Sequence, residues 1–387
     1  MKKIVIVNNN LHIGGVQKAL INLLWNIQDK YEVTLLLFSA AGECRQELPD
    51  GISVETVRSA YRFLGMSGND ARNTAEKLGR AFYAAITRLF GRRFAIALMG
   101  LGQKKLQGYD AAISYLHNAG DKIFYGGCND FVLKHIDADK KIAFLHCDHI
   151  ESGANTPKNN KMYAKFDAIA ACSQGCLDSF LQANPALADK ARVVTNCHRF
   201  EQILEQAQKA QVALQEDKIN VVTVARLGKE KGVERAVEAI AQLGQLQEKL
   251  HYYIIGDGIQ RNTIQQIIDK EGLAGCVTMT GALSNPYGYI QAADLLLIPS
   301  YSEAAPLVIG EATCLGTPIL TTQTSSAVEM VQTKGYGWVC ENSRESICEG
   351  LKSLLLDTEK LESVGKKLKN EAFSNENSLL DFYSLVD

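Results

Sequence analysis

The chain has no CxxC pair among its ten cysteines, no long apolar run, no excess of either charge, and no internal repeat or low-complexity tract. Each absence removes a class. The cysteines, at 44, 128, 147, 172, 176, 197, 276, 314, 340 and 348, fall partly in strand-like runs such as AFLHC and GWVCE. They read as buried, reduced thiols of a cytosolic protein rather than a disulfide framework. No segment reaches the roughly 18 apolar residues of a spanning helix. The opening MKKIVIVNNN has too short an apolar run for a signal segment and reads as a first strand. A net charge of -2 gives no overall pull toward nucleic acid or membrane.

What is present is a rhythm. With 387 residues, 46% hydrophobic and 22% charged, the chain suits two folded domains. Short β-branched runs (KIVIVNN, EVTLLLF, DAAISYL, KIAFLHC, DAIAACS) fill the first half. The second half has ARVVTNC, NVVTVARL, HYYIIGDG, CVTMTG, DLLLIPS and PILTTQ. Strands that are apolar on both faces belong to parallel sheets covered by helices. The stretches 16–27 and 234–246 carry the three-to-four spacing of covering helices. The expected class is α/β, with two doubly wound parallel-sheet domains. The turn in NPALADKAR sets the domains at 1–189 and 190–369, and the terminal piece 370–387 is expected to return to the first.

Segment 61–107 is compositionally distinct. It holds nine basic residues (Arg62, Arg72, Lys77, Arg80, Arg88, Arg92, Arg93, Lys104, Lys105) against Asp70 and Glu76, interleaved with apolar side chains such as Phe82, Leu89, Phe90 and Phe94. This pattern fits a basic amphipathic helix in an anionic membrane interface. It equally fits an ordinary helical pair with a solvated basic face.

Four short motifs stand at strand ends. Gly14 and Gly15 follow strand one, where glycine permits unusual backbone angles and lets amides approach an anion at a helix start. This is not a GxGxxG, no acidic residue ends the second strand, and there is no phosphate-loop GxxxxGK, so oxidoreductase and nucleotide-triphosphatase readings are disfavoured. In VARLGKEKGV, Arg226 and Lys231 lie five apart after a strand, placed to neutralise a diphosphate or simply solvated. IIGDG puts Gly256 and Asp257 in a tight turn that either passes a nucleotide or serves only the turn. In SEAAPLVIGEATCLGTP, Pro306 starts a helix that runs to about Leu315. Glu303 precedes that helix and Glu311 lies in its second turn. The first-turn amides of Leu307 and Val308 are then free donors, and carboxylates accept well from sugar hydroxyls. The plainer roles are helix capping for Glu303 and a solvated face for Glu311.

Taken in order, the GG turn, ARLGKEKG, IIGDG and SEAAPLVIGEATCLGTPILTT resemble the retaining glycosyltransferases of family 4, which have the GT-B fold of two Rossmann-like domains facing a cleft. The E-x7-E of that family matches Glu303 to Glu311 and its R-x4-K matches Arg226 to Lys231; the resemblance runs from strand one to Glu329. It implies a metal-independent transfer, with no cofactor, from a nucleotide-diphosphate sugar, expected to be a UDP-sugar. Arg226 and Lys231 would hold the pyrophosphate, with the amides of Ala305, Pro306's helix, Leu307 and Val308 on phosphate oxygens. Glu311 would bind the ribose, Glu303 the sugar, and Ala282 the base. His146 in KIAFLHCDH would touch the donor sugar, with His117 and His149 as weaker rivals; a buried core histidine is the plainer reading. Ala304-Ala305 departs from the usual Gly-Phe pair. A nucleotide-sugar 2-epimerase and a non-catalytic sugar-nucleotide binder share this architecture. The one DxD, Asp137-Ala138-Asp139, reads as a surface turn. The acceptor implied is a glycan or lipid-linked sugar at the cytoplasmic membrane face, as in assembly of bacterial surface polysaccharides.

Overall fold

The computed structural model describes residues 1–387, which form two compact units, Met1–Cys197 with Asn375–Asp387, and His198–Ser374. The first unit holds β1 (Lys2–Asn8), β2 (Tyr31–Leu37), β3 (Ser53–Thr56), β4 (Leu106–Ser114), β5 (Ile136–Leu145), β6 (Ala168–Ala171) and β7 (Ala191–Val193). They form one sheet in the order β3-β2-β1-β4-β5-β6-β7, with every pairing parallel. Ile4 to Val7 are fully buried, because the central strand is covered on both faces.

The second unit holds β8 (Ile219–Val224), β9 (Leu250–Ile255), β10 (Val277–Gly281), β11 (Leu295–Ile298), β12 (Ile319–Thr322) and β13 (Gly337–Cys340). Their order is β10-β9-β8-β11-β12-β13, again all parallel. Successive residues of a strand point to opposite faces, so β8 and β11 feed two cores. Val221 and Leu297 pack under helices Val233–Ala241 and Arg344–Leu356, and Val222 and Leu296 pack with Ile309 on the other side. This is why those strands read as unbroken apolar runs.

Several elements differ from the sequence reading. ARVVTNC was expected to open the second domain, yet Ala191–Val193 pairs with β6 and ends the first sheet. The first unit therefore reaches Cys197, beyond 189, and the terminal return begins at Asn375 rather than 370. SVET of β3 escaped notice because it is an edge strand with almost no apolar burial. Asp137-Ala138-Asp139 is not a turn: it lies in β5, at the end away from His146, with both aspartates exposed. All ten cysteines are free, and six are buried.

The terminal helix Glu376–Val386 is fixed to the first unit from several sides. Phe382 is buried against Tyr31 and Phe144, Arg192 Nη1 donates to Ser384 Oγ at 3.0 Å, and Lys30 Nζ lies 3.0 Å from the Asp387 carboxylate. No helix of the chain is long and apolar enough to cross a membrane.

Both sheets reverse their strand order once, between β1 and β4 and between β8 and β11. Ligands of open α/β sheets bind outside the carboxyl ends of the strands at such a switch point.

Candidate functional site

In the second unit, the loops after β8, β9 and β11 are joined by main-chain hydrogen bonds. Ala225 N donates to Ile255 O at 3.0 Å, Leu227 N to Asp257 O at 2.9 Å, and Gln260 N to Leu227 O at 2.9 Å. Two glycines make the approach feasible. A Cβ on Gly256 (φ +146°) would lie 1.8 Å from Ala225 O, and one on Gly232 (φ +59°) 2.2 Å from Pro299 O. The IIGDG turn therefore serves loop-to-loop packing. Asp257 closes it, its Oδ1 accepting from Gly258 N at 2.7 Å.

Residues 229–231 form a 3-10 turn on this base, which carries Lys231 across to the loop after β11. Its Nζ lies 2.7 Å from Glu303 Oε1, which also accepts from Ser300 Oγ at 2.6 Å. Both side chains are largely enclosed, 25% and 10% exposed, so this ion pair is only partly screened by water. Arg226 is different. Its Nη2 pairs with Glu230 Oε1 at 2.5 Å, but its side chain is 73% exposed, and such surface pairs contribute little to stability. The predicted Arg226–Lys231 pair thus meets two carboxylates, and Tyr301 N donating to Glu230 O at 2.9 Å ties the two loops together. A cleft of about 440 Å³ opens beside them, lined by Lys229, Glu230, Glu234, Gln260 and Tyr301.

One residue here has no signal in the sequence. Arg235 is buried, donating from Nε to Pro299 O at 2.8 Å and from Nη1 to Asn342 O at 3.3 Å, and it stacks on the Tyr301 ring at 3.8 Å. It pins the loop that presents Ser300 and Glu303. In sequence it is only one more arginine on an amphipathic helix.

Helix Leu307–Cys314 starts after Pro306 with no side-chain cap, so the first-turn amides of Leu307 and Val308 are not taken by a capping side chain. Glu311 lies in this helix, one turn before Cys314, whose Sγ donates to Glu311 O at 3.2 Å. No residue other than glycine has a positive φ, so Ala304-Ala305 traverses its loop without strain and glycine is not required there. On the far side, His198 Nε2 meets Leu307 O at 3.1 Å in space that only Gly310 leaves, since a Cβ there would lie 2.3 Å from that nitrogen. The exposed Ala282 follows β10, whose last residue accepts from Gly256 N at 2.9 Å.

In the first unit, Gly14 caps helix Gly15–Ile27 at φ -174°, ordinary extended backbone. Gly15 has open space where a Cβ would stand. The expectation of unusual backbone angles at this pair is corrected: Gly15 leaves open space at the helix start, and Gly14 leaves the place taken by the Gln17 side chain, whose Oε1 would lie 2.7 Å from an added Cβ. His146 directly follows β5, its ring 4.6 Å from Tyr115 and stacked on Phe144. Its Nε2 is buried without a partner. Burial, with His117 nearby, pulls its pKa down to about 3, and burial with His149 nearby takes His117 to about 4. Both rings are neutral at physiological pH. His149 is the structural one, fully buried, with Nε2 2.9 Å from Asn160 Oδ1 and its ring edge-on to Phe180.

The sign of the pH effect follows. Between the ordinary value near 6.5 and the folded values of about 3 and 4, the unfolded chain binds protons that the folded chain refuses. Stability is therefore full above about 6.5 and falls as pH drops, by up to about 1.4 kcal/mol per pH unit for each ring. Denaturant melts of wild type and His146→Phe should diverge below that pH, the variant losing less stability; parallel curves would remove His146 from the account.

Residues 205–371 match the family model described as glycosyl transferases group 1. That match spans nearly all of the second unit. Relatives extend the likeness. The colanic acid biosynthesis glycosyltransferase WcaL of Escherichia coli is 30% identical over 165 residues, 40% of each chain. The N-acetylgalactosamine-N,N'-diacetylbacillosaminyl-diphospho-undecaprenol 4-alpha-N-acetylgalactosaminyltransferase of Campylobacter jejuni is 24% identical over 96% of this chain and 95% of its own. Among solved structures, Anabaena HepE in complex with UDP and glucose superposes with a TM-score of 0.69 at 18% identity over 99% of both chains. Staphylococcus aureus TarM, in complex with fondaparinux, alpha-GlcNAc-glycerol and UDP, gives 0.71 at 12% over both whole chains. The fold is that of these structures, two Rossmann-like α/β domains, and the unit matched by the family model is the one that carries Arg226, Lys231, Glu303 and Glu311.

Proposed function

We propose that the chain is a retaining, metal-independent glycosyltransferase moving a sugar from a UDP-sugar to a glycan or lipid-linked acceptor. The observation that carries this is the enclosed Lys231–Glu303–Ser300 cluster outside the carboxyl ends of β8 and β11, beside the uncapped start of helix Leu307–Cys314. An ammonium and free amides there suit a diphosphate. When the donor enters, Lys231 and Arg226 turn from their carboxylates to the pyrophosphate, and the Leu307 and Val308 amides take its oxygens. Glu303, released from Lys231, accepts from hydroxyls of the sugar, Glu311 from those of the ribose, and the backbone near Ala282 meets the base. In the first unit, His146 is assigned to the donor sugar and the helix start at Gly14 and Gly15 to the donor's diphosphate.

In the reaction the bond from the anomeric carbon to the diphosphate oxygen breaks, its electron pair leaving with the nucleotide. The acceptor oxygen bonds to the same face of that carbon, and its proton passes to the departing phosphate. Charge growing on that phosphate is what the cations stabilise. The UDP in the HepE and TarM complexes supports the nucleotide, and the diphospho-undecaprenol in the name of the Campylobacter relative supports a lipid-linked acceptor.

A screen of UDP-, GDP- and ADP-sugars for nucleotide release, with and without chelator, tests this reading. Release from one UDP-sugar, unaffected by chelator, with the anomeric configuration kept in the product by NMR, is expected. Strict metal dependence, or inversion, would overturn it.

A further inference from the structure

Helix Thr74–Phe90 presents its apolar side outward. Over 17 residues it buries only Ile86 and Thr87, while Leu78, Phe82 and Leu89, spaced along one face, are 65%, 56% and 72% exposed. Helix Arg92–Met99 continues the same surface: Phe90 and Phe94 touch at 5.5 Å between ring centroids, and Phe94 and Leu101 are exposed. Large apolar side chains placed contiguously in water mark an interaction surface.

The charges say what kind. Of the nine basic residues in this segment, Arg92 is structural, buried with Nη1 donating to Ala119 O at 2.6 Å and Nη2 to Asn159 Oδ1. Arg80 is held by Met66 O, and Arg62 by Glu76. Arg72, Lys77, Arg88, Arg93, Lys104 and Lys105 are exposed, and none forms a side-chain ion pair with a carboxylate. Six uncompensated cations around an apolar face suit an anionic, apolar-centred partner. A second copy of the chain, docked face to face, would set like charges against each other.

We propose that this helix pair docks the protein on a lipid bilayer, with Phe82, Leu89, Phe90 and Phe94 in the acyl boundary and the basic rim on anionic phospholipid headgroups. The contact does not depend on the donor reading, because it uses no residue of the second unit. It would set the first unit at the surface where a lipid-linked acceptor is held.

The test is flotation of the full chain with vesicles of phosphatidylcholine alone or mixed with phosphatidylglycerol. Binding to the mixed vesicles only, lowered by salt, is expected. Phe82→Ser/Leu89→Ser should abolish it, and Arg88→Gln/Arg93→Gln should weaken it by on the order of tenfold or more, about fivefold per charge. These side chains are exposed, so melting should match wild type and nucleotide release should be unchanged. Equal binding to both vesicle types, no binding to either, binding untouched by the variants, or self-association at this face seen by sedimentation would each overturn the proposal, whatever the donor screen shows.

Discussion

Lys231→Ala should lower turnover of the nucleotide-sugar donor by about two to three orders of magnitude, the effect of removing one preorganised charge from a developing anion. The wild-type ammonium lies 2.7 Å from Glu303 and is only 25% exposed, so it stands in the cluster before any donor arrives and exchanges one anionic partner for another when the diphosphate binds. Its removal also leaves the Glu303 carboxylate, 10% exposed, with Ser300 as its hydrogen-bond donor, which costs stability by itself. A double-mutant cycle separates the two contributions. Glu303→Gln keeps the shape and removes the charge that needs Lys231, so Lys231→Ala/Glu303→Gln should recover stability but not turnover. Nucleotide affinity, measured by calorimetry with UDP, should fall in both variants lacking Lys231. Turnover within a few-fold of wild type would sink the phosphate role of this residue. Arg226→Ala should do less, because its exposed pair with Glu230 is loosely held.

Much of this site was legible because it lies at strand ends, where chemistry-bearing residues follow β-branched runs. The pair Arg226–Lys231 is separated from the pair Glu303–Glu311 by whole secondary-structure elements, yet the parallel topology brings the loops after β8 and β11 together. What the spacing could not reveal is who holds whom. Lys231 meets Glu303 across 72 residues, a pairing that only the fold creates. Arg235 was invisible for a related reason: its partner is the carbonyl of Pro299, and any residue supplies a carbonyl. The exposed face of helix Thr74–Phe90 was half legible. Composition showed basic and apolar residues mixed, but only the fold shows the apolar ones outward and Arg92 turned inward. The boundary near 189 was misplaced because ARVVTNC is an ordinary strand by pattern, and which sheet it joins is decided by a neighbour.

Gly256→Ala carries the second large effect, and it falls on stability. The backbone at Gly256 has φ +146°, a region that side chains with a Cβ rarely adopt, and the added carbon would lie 1.8 Å from Ala225 O. Strain of this kind costs about 1–3 kcal/mol, and forcing atoms into a packed contact adds about 1–3 more. The loop after β9 must then lift from the loop after β8, breaking the Ala225–Ile255 and Leu227–Asp257 hydrogen bonds. A loss of at least about 3 kcal/mol is expected, which lowers the melting temperature by roughly 6–12 °C in a unit of this size. Gly15→Ala is the control, since its added carbon meets nothing within 4 Å and its backbone is that of a helix start; it should change stability by no more than about 1 kcal/mol. Because the loop carrying Arg226 rests on the displaced one, the surviving folded fraction of Gly256→Ala should also bind UDP more weakly. Calorimetric melting with and without UDP checks both, and a melting temperature equal to that of wild type would mean that the two loops are not packed as tightly as this geometry requires.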